Sequence, residues 1–154
     1  MKRALASGLA IIALAITAAP QTAKHPHTSM PTDQAAPPSV SITPASVEFK
    51  DQVTKKASRP ERVTVTNTGG KALYINTVVI EGDNKEDFVV SHDTCTGATV
   101  GAGKSCVIDI VFTPAVKDKR RATLTVTDNA YDSPQRVRLS GSGINSADVP
   151  PHEE

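Results

Sequence analysis

Apolar residues recur at every second position through the middle of this chain, in short runs, and that period decides the fold class. The run "CVIDIVF" alternates Cys106, Ile108, Ile110 and Phe112 with Val107, Asp109 and Val111. In "ERVTVTN", Val63 and Val65 share one face and Thr64 and Thr66 the other. "LYINTVVI" starts with Leu73 and Ile75 in phase and then shifts before Val78 and Ile80, as a β-bulge would cause. "SVEF" (Ser46 to Phe49), "ATLTVT" (Ala122, Leu124, Val126) and "RVRL" (Val137, Leu139) complete the series. Period two is the signature of a half-buried strand. No ten-residue stretch of this region has helical spacing. Turn-forming segments separate the runs: "NTGG" (Asn67 to Gly70), whose residues tolerate positive φ, "EGDNKED" (Glu81 to Asp87) and "DNAYDSP" (Asp128 to Pro134). Short strands between frequent turns predict an all-β sandwich of about seven strands.

Aromatic residues are scarce and Trp is absent. Phe49, Phe88 and Phe112 are the candidate core aromatics, with Tyr74 a further one, so β-branched aliphatics must carry most of the packing.

The ends of the chain read differently. Lys2 and Arg3 precede an apolar run of 16 residues, Ala4 to Ala19, broken by Ser7, Gly8 and Thr17. A membrane-spanning helix needs about 20 apolar residues, and a basic start, a shorter run and small residues at its end match a secretory signal peptide. We assign 1–19 to that signal. Residues 20–39 are rich in Pro, Thr and Ala without apolar periodicity, which predicts a flexible linker. Residues 144–154 read as a flexible tail. The 104 residues from 40 to 143 form one domain, enough for a single core. Without Lys2 and Arg3 the charge count falls from 17 Lys+Arg against 16 Asp+Glu to 15 against 16, a net of −1. A general nucleic-acid binder is clearly basic, so nucleic acid is not an expected partner. The basic clusters around Lys55 to Arg62 and Lys117 to Arg121 are expected to be solvated strand ends and loops.

The two cysteines, Cys95 and Cys106, bracket "CTGATVGAGKSC". Its "GAGKS" resembles the end of a phosphate-binding loop, which requires G-x-x-x-x-G-K-[ST] between a strand and a helix. Ala98 stands where the first glycine belongs, and a strand pattern follows. In an exported chain, two cysteines predict a disulfide. Their spacing is not C-x-x-C, and no basic cluster is present to lower a thiol pKa. The expected bridge is therefore structural, with Gly97, Gly101 and Gly103 letting the short loop fold back.

The stretch "CTGATVGAGKSCVIDIVFTP" resembles the choice-of-anchor D domains, which belong with the Hydin-type (ASH) immunoglobulin-like domains. The matching positions are Cys95, Gly97, Val100, Gly103, Ser105, Cys106, Phe112 and Pro114. "VTVTNTGGKALYI", "RRATLTV" and "VRLSGSG" are similar to the family's flanking strands and turn. "KDKRR" departs from its usual Gly-Arg turn. The resemblance implies an immunoglobulin-like β-sandwich with a binding or scaffolding role, often within a larger protein.

Residues with catalytic chemistry do not converge in the sequence. His25, His27 and His152 lie in the terminal segments, and His92 stands beside Asp93 in the domain. "SGSG" (Ser140 to Gly143) reads as strand-end punctuation and "DNKED" (Asp83 to Asp87) as a solvated acidic loop. No enzyme activity, cofactor or resident metal is expected. His25 and His27 suggest the alternative, a small periplasmic Cu²⁺- or Ni²⁺-handling protein. The leading expectation is an exported interaction module at the periplasm, cell surface or medium, touching the membrane only through its signal. An edge strand would receive a protein partner. "SVEF" and "RVRL" are the expected edges, and Arg136 and Arg138 on the second would favour an acidic partner.

Overall fold

The computed structural model describes residues 35–148, so the predicted signal, most of the linker, the tail beyond Asp148 and His25, His27 and His152 lie outside the described residues. The described residues hold ten strands. They are β1 (Val40–Thr43), β2 (Ser46–Glu48), β3 (Gln52–Val53), β4 (Glu61–Asn67), β5 (Leu73–Glu81), β6 (Phe88–Asp93), β7 (Thr99–Val100), β8 (Ser105–Phe112), β9 (Lys119–Asp128) and β10 (Gln135–Ile144). One sheet runs β1-β4-β8-β6 and the other β2-β10-β9-β5-β7, with β3 also paired to β10. The N-terminal part of the domain changes sheets: β1 is antiparallel to β4, whereas β2 and β3 run parallel to β10.

Alternation builds the core as expected. Val63, Val65, Ile108, Ile110 and Phe112 of the first sheet are fully buried, as are Leu124, Val126 and Val137 of the second. Phe49, Phe88 and Phe112 form one aromatic cluster with ring centroids 4.8 to 5.8 Å apart. Tyr74 is not in the core. It points outward from β5 and is about half exposed. The phase shift in β5 is a register irregularity between Ile75 and Thr77, where the bulge was predicted.

Further expectations change. "SGSG" lies inside β10 rather than ending it: Ser140, Gly141 and Ser142 pair with Arg121, Arg120 and Lys119. Gly141 is needed there because a Cβ would stand 2.6 Å from the Phe112 ring. Gly69 and Gly70 are not at positive φ. They are small because backbone crosses them, and a Cβ on Gly69 would meet the Pro37 carbonyl at 2.1 Å. That crossing backbone is the end of the expected linker. Ala36 accepts hydrogen bonds from the Gly70 and Lys71 N–H groups, and Ser39 accepts one from Thr68. Ala36 and Ser39 are thus bonded to the turn after β4, and β10 includes Ile144.

"DNKED" is not fully solvated. Asp87 is buried and pairs with the Arg120 guanidinium. Its second oxygen accepts from Ala115 N–H, and its carbonyl accepts from Thr113 N–H. Arg120 is thus a core-edge residue rather than a solvated one. Removing either partner would leave the other charge desolvated and alone.

Candidate functional site

Cys95 and Cys106 are disulfide-bonded, with Cα atoms 5.2 Å apart and both side chains buried. The loop they close leaves β6 in the first sheet, lays β7 against β5 in the second, and returns into β8. The crossing is fixed by Ile75, whose N–H donates to Ala98 and whose carbonyl accepts from Gly97. Gly97 and Gly103 sit at φ 72° and 69°, conformations that side-chain-bearing residues rarely adopt. Gly101 does not. The Asp93 carboxylate caps the start of the loop, accepting from the N–H groups of Cys95 and Thr96 and from the Thr96 hydroxyl. Burial pushes its carboxyl up, but these hydrogen bonds outweigh it and hold the pKa below the ordinary value. Asp93 is therefore a loop cap, not half of a His92 pair.

Asn67, read in the sequence only as a turn residue, ties the same end together. It is fully buried. Its amide donates to the Lys71 and Val100 carbonyls and accepts from Gly69 N–H. Its backbone bonds Lys104 and Gly103. "GKS" feeds directly into β8, and the Ser105 hydroxyl shares a hydrogen bond with Thr66. These bonds tie this end of the sandwich together.

Two further carboxylates, Asp109 and Asp128, are shifted by contacts within the fold. Arg62 makes two hydrogen bonds to Asp109, which hold the Asp109 carboxyl below its ordinary pKa. Burial pushes Asp128 up, with Asp132 adding to it, against a hydrogen bond from Ala130 N–H. Its Oδ2 has no partner. Among the described residues no three His, Cys, Asp or Glu side chains group as metal ligands.

The expected partner edge must be corrected. "RVRL" lies in β10, which is an inner strand with β9 on one side and β2 and β3 on the other. Arg136 and Arg138 therefore sit on a sheet face, while "SVEF" does form an edge as β2. Inward Val137, Leu139, Ala122 and Leu124 alternate with outward Arg136, Arg138, Arg121 and Lys119. The antiparallel register aligns these cations in four successive outward pairs: Arg136 with Thr125, Arg138 with Thr123, Arg121 with Ser140, and Lys119 with Ser142. Each pair joins one exposed cation to one hydroxyl. None of the four enters an ion pair among the described residues, where the pairs are Arg62–Asp109, Lys117–Asp148 and Arg120–Asp87. Glu48 borders the face beside Ser140, and Glu81 borders it beside Thr123. The Thr125 hydroxyl donates to Glu81. A recess of about 550 Å³ opens at the lower end, where Lys50 and Asp51 stand off from Ser140 and Ser142.

A two-sheet sandwich whose N-terminal strands divide between the sheets, with a short covalently closed excursion from one sheet to the other, is an immunoglobulin-like β-sandwich. The family model "Abnormal spindle-like microcephaly-assoc'd, ASPM-SPD-2-Hydin" (ASH) matches residues 37–135. The chain belongs to the ASH family. Its fold is similar to the human CEP192 ASH/PapD-like domain 7 at 14% identity and TM-score 0.51, covering 70% of this chain and 86% of that one. A Porphyromonas gingivalis protein of unknown function is similar at 13% identity and TM-score 0.57, covering 74% and 51%. The periplasmic chaperone SfaE is similar at 19% identity and TM-score 0.51, covering 73% and 61%. The chain thus spans about half to three-fifths of the latter two. At these identities the likeness is one of fold. No curated protein matches the sequence.

Proposed function

We propose that this chain is an exported, non-enzymatic interaction module that holds an acidic protein partner in the cell envelope or extracellular space. The observation that carries this reading is the outer face of the six-stranded sheet, whose four exposed cations form no ion pair among the described residues. Arg62 and Arg120, by contrast, are used within the fold. Charges that do not serve folding are available for steering and orienting a partner. Against the four cations the face has Glu48 and Glu81, a local excess of two positive charges on a chain whose mature net is about −1. The disulfide supports an oxidising compartment, as does the signal-like start. The alternative, metal handling through His25 and His27, rests on residues outside those described, and no structural observation favours it.

The test uses poly-L-glutamate as a generic acidic probe. The mature protein should bind it with a salt-dependent affinity, and Arg136→Glu with Arg138→Glu should abolish most of that binding while leaving thermal stability nearly unchanged. Equal binding by the double variant removes this face from consideration. Export is checked separately by sequencing the mature N-terminus, expected between Ala19 and Lys24. Recovery of intact Met1 from a soluble cytoplasmic pool would contradict it.

A further inference from the structure

The four outward pairs of β9 and β10 do more than place positive charge on one face. Successive same-face residues of a strand are two positions apart, or roughly 6.6–6.8 Å. Four rows therefore repeat over about 20 Å. Every row contains one cation, supplied by β10 in the first two rows (Arg136, Arg138) and by β9 in the last two (Arg121, Lys119). The line of charge thus crosses only one strand spacing, about 4.8 Å, a shift that long Arg and Lys side chains can span. We infer that this is a ladder for an extended acidic peptide carrying a carboxylate at every second residue. This deepens the acidic-partner reading above and rests on it.

The match is one of period. A peptide in β conformation laid along β9 and β10 has the same rise per residue as the strands beneath it. Its alternate side chains keep step with the rows instead of drifting out of register. In the second, third and fourth rows a carboxylate meets a cation and a neighbouring hydroxyl, two donors for two oxygens. The first row offers Arg136 alone, because the Thr125 hydroxyl donates to Glu81. Glu48 and Glu81 stand on opposite sides of the ladder. An acidic residue displaced sideways meets a like charge, so the borders favour one line of docking. A compact acidic cluster can reach only one or two rows.

The test compares three labelled nonapeptides by fluorescence anisotropy against the mature protein at about 0.15 M salt. One alternates Thr and Asp, one is its isomer with all four Asp residues adjacent, and one replaces Asp with Asn. The alternating peptide should bind roughly tenfold tighter than the isomer, as a differential of one strong charge pair would give, and the Asn peptide should not bind. Lys119→Gln, Arg121→Gln, Arg136→Gln and Arg138→Gln should each weaken the alternating peptide to a similar extent, by a few-fold. Each should also reduce the salt dependence, while melting temperature stays constant. Equal binding of the two acidic isomers refutes the ladder but leaves an acidic partner standing. Binding of neither refutes both. Tighter binding of short polyphosphate than of the alternating peptide overturns the peptide assignment in favour of a phosphate polymer.

Discussion

Reducing the Cys95–Cys106 bond should cost this domain about 3 kcal/mol without unfolding it. The bond joins residues 11 apart in sequence. Closing a loop of about 12 residues removes roughly 3 kcal/mol of conformational entropy from the unfolded chain in the chain-entropy model. Net stability of such a domain is about 5–15 kcal/mol, so most of the reduced population stays native at 25 °C. The folded loop has other anchors: two backbone hydrogen bonds to Ile75, the β5–β7 pairing and the Asn67 amide. Its path between the sheets should therefore survive reduction. Replacing both cysteines with Ala removes buried sulfur as well and should cost roughly 1 kcal/mol or more beyond reduction, from the cavity left behind. Urea unfolding with and without reductant gives the first number, and the same titration on the Ala pair gives the second. Circular dichroism should show unchanged strand content in water, and hydrogen exchange should quicken first at the Gly97 and Ile75 amides. Loss of strand content on reduction would mean that the loop is the keystone of the sandwich, contrary to this reasoning. A stability change below about 0.5 kcal/mol would mean that the unfolded chain gains no freedom from opening it.

Gly141→Ala drives a methyl into the Phe112 ring and should destabilise by about 1–3 kcal/mol, measured by thermal unfolding. Asp87→Ala leaves Arg120 desolvated without its carboxylate and should cost about 3–5 kcal/mol, whereas Lys117→Ala at the exposed Lys117–Asp148 pair should cost under about 1 kcal/mol. For Asp128 the sign runs the unusual way. Its folded pKa is raised above the unfolded value, so the native state binds the extra proton, and its penalty is full above the folded pKa and vanishes below the unfolded one. Asp128→Asn should therefore gain on the wild type as pH rises from about 4 to 7, and parallel stability curves for the two would count against this assignment.

Period-two alternation made β4, β5, β8, β9 and β10 legible because each buries one face, and a buried face forces strict alternation. β6 is less regular: only Phe88 of its six residues is fully buried, and its polar second half looks like loop. β3 and β7 are two residues each and exist only because β10 and β5 offer them a ladder. The contacts of residues 36–39 are illegible for a related reason. Pro37 and Pro38 carry no periodicity, yet the flanking Ala36 and Ser39 carbonyls accept hydrogen bonds from a turn some thirty residues later in the chain, and the prolines pack over Gly69. Asp87 and Asn67 escaped notice as buried residues because a loop carboxylate and a turn amide are usually solvated, and nothing local marks Arg120 or Val100 as their partners.

The cationic face shows the limit most clearly. Its parts were visible: Lys119 and Arg121 stand in phase with each other and out of phase with Ala122 and Leu124, as Arg136 and Arg138 do with Val137 and Leu139. Alternation alone therefore puts all four on the solvent side of their strands. Whether they form one line depends on which residue of β9 faces which residue of β10. That register is set across the intervening loop, which Asp128, Ala130 and Ser133 brace with their own hydrogen bonds. A slip of two residues keeps the same faces inward and outward, but one direction would set Arg138 opposite Arg121 and the other would set Ser140 opposite Thr123 with no cation in that row. Alternation supplies no neighbour for β10, so its arginines read as an edge from the sequence alone. Supplying β2, β3 and β9 removes the edge and leaves the charge, so the proposed acidic partner would be met by side chains on the face and not by main-chain strand addition.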